Sequence, residues 1–220
     1  MTLEESYQAT SSKTLALWQA NPGFGESRAE RYDPHRLAIA SGIKPVLTER
    51  VQTLMTELHE LVAHDPAADA MPFASFHLTF LPITQPIYEG LPDTADLEAL
   101  WQPYQGRPLV VRDLRLVALP SQLLLAGVVD EDTKVLREQF CADVLNSRWR
   151  DLILARHANS PLPAPFWHST LLRYQAERLP PALRDFFARH RSSRFGSLEG
   201  LLQLCLVNYN WSFQQEISSK

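Results

Sequence analysis

A histidine and a threonine two positions apart, set inside an apolar run, occur twice in this chain: "FHLTFLP" at residues 76–82 and "FWHSTLLRY" at residues 166–174. Both runs have strand length and are rich in aromatic and aliphatic residues. On a strand, residues i and i+2 share a side, so His77 and Thr79 project together, as do His168 and Thr170. Phe76, Leu78 and Phe80 then face the other way and pack, which is how polar side chains persist in an apolar run. The fold must therefore bury one side of each strand and present the other.

The surrounding sequence repeats in order. "PVLTERVQTLMTELHELVA", from Pro45 to about Ala63, is expected to be a helix, with Val46, Val51, Leu54, Leu58, Leu61 and Val62 on one stripe and Pro45 in the first turn. The turn signal "DPAADAMP" leads into the first motif strand, and acidic "LPDTADLEALWQPY" reads as a short helix capped by Asp93 or Thr94. "RPLVVRDLRLVALP" and "SQLLLAGVVD" form an antiparallel pair turning near Pro120 and Ser121. A second helix runs from Glu131 to about Leu145, with Val135, Leu136, Phe140, Val144 and Leu145 near one face. "RDLILARHANSPLPAP" is expected to be a loop or short strand before the second motif strand. A helix, "PPALRDFFARH", and one or two closing strands follow. Helix, motif strand, further elements, then the same again predicts a duplicated α+β fold. Residues 1–34 are polar and read as an arm wrapped onto a domain of residues 35–220.

Composition sets outer limits. A net charge of −4 argues against non-specific coating of nucleic acid, so any polyanion must be met by a local cluster. No run approaches the roughly 20 apolar residues of a membrane span, and the N-terminus has no secretory pattern, so a cytoplasmic protein is expected. Cys141 and Cys205 lie far apart in apolar stretches, as buried thiols do. "NWS" at Asn210 and "GFG" at residues 23–25 match longer signatures only by chance.

Two imidazoles flanking a space floored by two hydroxyls suit transfer at a phosphodiester. One neutral histidine takes a proton from the attacking oxygen and the other, protonated, gives one to the departing oxygen. The hydroxyls of Thr79 and Thr170 donate to the phosphate oxygens, where negative charge collects. An imidazole titrates near pH 6.5, so both protonation states are accessible and a bell-shaped rate profile around neutrality is expected. The chemistry requires neither metal nor cofactor.

"HLTF" at 77–80 and "HSTLLR" at 168–173 resemble the paired H-x-T/S motifs of the two-histidine (2H) phosphoesterase superfamily. The second is similar to the H-x-T-L-x-R form of bacterial 2′-5′ RNA ligases and 2′,3′-cyclic phosphodiesterases, with Trp167 where familiar members carry proline. The resemblance implies a bilobal fold with antiparallel sheets flanked by helices and an active-site cleft between the lobes. It implies His77 and His168 as the catalytic acid–base pair, and Thr79, Thr170 and Arg173 as the phosphate-binding groups. It further implies metal-independent hydrolysis of a cyclic phosphate or a 2′-5′ linkage in a small nucleotide or RNA end.

Arg173 alternates away from His168 and Thr170 if its strand stays regular, so its role needs a bend. Trp167, Tyr174 and Tyr209 are candidates for stacking on a base, and Trp211 lies near them in the closing segment. Arginines 178, 184, 189, 191 and 194 are either a solvated face or a contact for an RNA backbone. His35, His157 and His190 have no partner spacing and read as surface residues. No stable DNA partner, no membrane and a monomer are expected. Two other readings stay open: a non-catalytic module binding a nucleotide or RNA end, and a phosphoesterase for a non-nucleotide metabolite.

Overall fold

Thr2 starts the first helix, α1 (Leu3–Ala20), by accepting a hydrogen bond from the Glu5 amide while its own amide donates to the Glu5 carboxylate. The computed structural model describes residues 2–28 and 32–217. In chain order there follow β1 (Ala38–Ile43), α2 (Glu49–Val62), β2 (Ala68–Ala70), a short 3-10 turn (Phe73–Ser75) and β3 (Leu78–Pro82). Next come α3 (Ala95–Trp101), β4 (Pro108–Leu119), β5 (Gln122–Val128), α4 (Glu131–Leu145) and α5 (Arg150–Arg156). The chain closes with β6 (Trp167–Tyr174), α6 (Pro181–His190), β7 (Leu198–Leu201), β8 (Gln203–Val207) and β9 (Gln214–Glu216).

The strands make two antiparallel sheets, β3-β1-β8-β9 and β2-β6-β5-β4-β7, so each sheet carries one of the two motifs. This is the expected α+β architecture. The hairpin expected at Pro120 and Ser121 is present, with Leu119 opposite Gln122. Helices fill one side of each sheet: Leu54 and Leu58 of α2, Phe140 and Val144 of α4 and Phe186 of α6 join Ile39, Phe80, Leu123 and Leu125 in one continuous core. Each such side chain contributes about 1.5–3 kcal/mol through burial.

Alternation along the hairpin assigns the opposite face. Leu123 and Leu125 enter the main core, while Leu124, Ala126 and Val117 form a second cluster capped by Tyr7 of α1. His168 stands opposite Ala126 and Thr170 opposite Leu124, so both motif residues share that second face. Helix α1 covers its β4–β5 part, anchored by Thr14 Oγ1 donating to the Ala118 carbonyl and Trp18 Nε1 donating to that of Pro120. The β6 part stays open.

Several local expectations change. The first predicted helix starts later, because Thr48 takes the N-cap position; Pro45 and Val46 fall outside it, and Val46 is 90% exposed. "RDLILAR" is helical, and the closing segment makes β7, β8 and β9 where one or two strands were expected. "AIASGI", with little apolar bulk, is the central strand β1. The five distal arginines do not act as one face: Arg184 donates to the carbonyls of Trp18, Asn21 and Gly23, and Arg178 to that of Gly23, so two of them tie down the N-terminal segment. Both cysteines are buried free thiols. Among the described residues no helix is long and apolar enough to cross a membrane.

Candidate active site

His77 lies just before β3, after the 3-10 turn, and its Nδ1–H donates to the Ser75 carbonyl at 2.9 Å. Because a carbonyl only accepts, Nδ1 carries the proton and Nε2 keeps the lone pair. Trp211 stacks on the imidazole, with ring centroids 4.6 Å apart and planes 7° from parallel. Gly42 of β1 stands opposite Thr79, and a Cβ there would strike the Leu78 carbonyl and crowd Trp211. Only glycine allows this approach. Trp211 itself has φ +59, a left-handed backbone that costs a bulky residue about 1–2 kcal/mol. Burial of its ring against Ala40, Cys205 and Val207 offsets that cost.

The second motif depends on an irregularity. Along β6, Thr170 pairs with Leu124 but Leu172 pairs with Leu123, so Leu171 is an extra residue. The bulge reverses the alternation beyond it. Arg173 therefore lies opposite Gln122 and on the same side as His168 and Thr170, which a regular strand would forbid. At the other end of the strand, the Tyr7 hydroxyl donates to the Gly127 carbonyl at 2.7 Å and accepts from the Trp167 amide at 3.0 Å. Tyr7 thus pins the backbone next to His168.

The two faces meet at a cleft of about 660 Å3, lined by His77 and Thr79 from one sheet and by His168, Thr170 and Arg173 from the other. All five residues expected to do the chemistry are brought together. Tyr209 also lines the cleft, stacked on Tyr32 with centroids 5.3 Å apart. Arg173 lies 5.3 Å from the Tyr32 ring and 5.5 Å from that of Tyr209, and pairs with Asp69 at 3.8 Å. Trp167 and Tyr174 are not walls of the cleft. Trp167 is 1% exposed in the core beneath Arg137, and Tyr174 turns to Asp65, whose carboxylate joins with burial to push its hydroxyl up to about 12.

Electrostatics depart from the simple expectation of histidines titrating near neutrality. Burial drives His77 down to about 3 against the support of the Ser75 carbonyl, with Arg173 and His168 lowering it further. Burial and Arg173 bring His168 down to about 4, the Phe166 backbone opposing them. Among the described residues His168 Nδ1 is buried without a partner in good hydrogen-bonding geometry. In the free protein both imidazoles are neutral at pH 7. An anionic phosphate between them supplies the opposite charge that raises one and lets it hold a proton.

Three residues at or beside the cleft have places that no motif announced. His157, expected at the surface, is buried: its Nε2 lies 3.0 Å from the Pro82 carbonyl, tying the end of α5 to the first motif strand. Tyr7 gave no signal inside a polar arm. Arg137 did give one: with Phe140, Cys141 and Val144 it falls at helical spacing on the buried stripe of α4. Among the described residues no cluster of three or more His, Cys, Asp and Glu side chains could hold a metal ion.

In sequence, the chain matches no family model and no curated protein. Solved structures are similar in fold. TT0787 of Thermus thermophilus is 19% identical, with a TM-score of 0.54 over 82% of this chain and 95% of that one. E. coli LigT complexed with NADP+ is 14% identical, with a TM-score of 0.49 over 86% and 96%. A phosphoesterase is 16% identical, with a TM-score of 0.44 over 85% and 96%. The likeness to TT0787 carries the fold assignment. The chain shares its fold with that protein. In this shared fold, each sheet contributes one motif strand, and β3 and β6 pack where the sheets approach.

Proposed function

We propose that the protein is a metal-independent phosphodiesterase that opens a 2′,3′-cyclic phosphate or cleaves a 2′-5′ linkage in a nucleotide or RNA end. The observation that carries this reading is the meeting of both H-x-T pairs and Arg173 in one cleft. Binding alone has no use for two imidazoles with a free lone pair available; proton transfer at both ends of a breaking P–O bond does.

The phosphate lies between the histidines, its non-bridging oxygens accepting from the Thr79 and Thr170 hydroxyls and from the Arg173 guanidinium. One neutral imidazole removes the proton of the attacking water. The other, protonated under the field of the phosphate, protonates the departing ribose oxygen. The substrate's orientation decides which histidine takes which part. Tyr32 and Tyr209, at the Arg173 end of the cleft, offer flat rings to a base.

The test is turnover of a panel of 2′,3′-cyclic nucleotides and 2′-5′ oligonucleotides by purified protein with a chelator present. Hydrolysis of at least one class is expected. Affinity without turnover favours a binding module, and turnover restricted to non-nucleotide phosphodiesters favours a metabolite phosphoesterase.

A further inference from the structure

Among the described residues Arg137 makes no ion pair within 4.0 Å, although its side chain is buried; Glu138 acts on it only through its field. It lines the cleft from α4, is 6% exposed, and has its guanidinium carbon 3.7 Å from the centroid of the Trp167 ring. That stack is its main support, because among the described residues its Nε is buried with no hydrogen-bond partner. The contrast with Arg173 is sharp, because Arg173 has Asp69 beside it.

Long cationic side chains usually rest an aliphatic stem on the core and leave the charged head in water. Here the head itself is buried. Burial brings Arg137 down to about 10, so it stays charged at neutral pH. A desolvated guanidinium is poorly satisfied by one aromatic face, since its N–H groups call for acceptors and the buried Nε–H has none. Arg137 borders the cleft, so acceptors can reach it there with a ligand. The reacting phosphate already has two hydroxyls, two imidazoles and Arg173. The field of Arg137 bears on His168, and Arg156 and Ser160 line the same cleft.

Resting on the phosphodiesterase reading, we propose that Arg137 binds a second anionic group of the substrate, a phosphate distinct from the one attacked. The substrate class is then a cyclic nucleotide or oligonucleotide end that carries a further phosphate, rather than a bare cyclic mononucleotide. Arg137 is held apart by its Trp167 stack so that its fork is free to grip that phosphate through two parallel N–H bonds.

The test compares nucleoside 2′,3′-cyclic phosphates with and without a 5′-phosphate on wild type, Arg137→Met and Arg137→Lys. Wild type should prefer the 5′-phosphorylated substrate by about 10- to 100-fold in kcat/KM, carried by KM. Arg137→Met should bring that ratio close to one, and Arg137→Lys should keep part of it. A wild type without preference, a ratio that survives in Arg137→Met, or equal loss on both substrates with a lowered Tm would overturn the proposal. If wild type turns over neither substrate, the phosphodiesterase reading fails, and calorimetry with inorganic pyrophosphate and inorganic phosphate decides the binding claim. Tighter binding of pyrophosphate that disappears in Arg137→Met supports it; equal affinities overturn it.

Discussion

His77 and Trp211 lie ring on ring, 4.6 Å between centroids and 7° from parallel, and the tryptophan holds a left-handed backbone to reach that position. An indole on one face and a carbonyl at Nδ1 leave the imidazole little access to water. Burial is the largest cause of its low pKa. Replacing Trp211 with leucine should therefore wet the ring and move His77 upward by a unit or more, toward the ordinary value of about 6.5. NMR titration of the imidazole checks this, and an unmoved pKa in Trp211→Leu would place the cause elsewhere.

Stability should fall on mild acidification. Folding lowers His77 to about 3 and His168 to about 4, so between those values and about 6.5 the unfolded chain binds more protons than the folded one. Their contribution is complete above about pH 7 and is lost as pH drops through that window, by at most about 1.4 kcal/mol per unit for each histidine. Denaturant midpoints at pH 7 and 5 measure the slope. His168→Gln should flatten it; an unchanged slope would mean that other groups carry the dependence.

Catalysis should show the same depression. Since kcat/KM reports the free enzyme, it should rise as pH falls from 8 to 5 instead of peaking at neutrality, because the proton-donating imidazole is scarce at pH 7. The profile of kcat should lie at higher pH, the bound phosphate having raised the donor. Coincident, neutral bells for both parameters would contradict the pKa values given by burial.

Tyr7 links the N-terminal helix to the site. Tyr7→Phe removes the acceptor of the Trp167 amide and the donor to Gly127, leaving both buried. A loss of about 1–3 kcal/mol in urea unfolding is expected. The same variant should lower kcat more than an equally destabilising core change such as Val144→Ala, because Trp167 precedes His168. Equal losses would make the contact purely structural.

The motif strands, the β4–β5 hairpin, α4 and α6 were legible because period and length agree with the final structure at those places. β1 was not, since "AIASGI" has the bulk of a loop and becomes a strand only because β3 and β8 flank it. β2 has three residues and exists through pairing with β6. The candidate site shows the same division. His77, Thr79, His168 and Thr170 follow from spacing alone, whereas Arg173 reaches them through the bulge at Leu171, which pairing with β5 creates and no local pattern announces. Trp211 was visible as an aromatic, but its place over His77 needs Gly42 and a long-range register.

Interdependence of the two histidines is the central claim, and a double-mutant cycle measures it. With chelator present and a substrate that the wild type turns over, His77→Gln and His168→Gln should each reduce kcat by about 10²- to 10⁴-fold. The double variant should be little slower than the worse single one, since either loss disables the same proton relay. A wild-type rate in either single variant, or losses that multiply in the double, would contradict the two-histidine account.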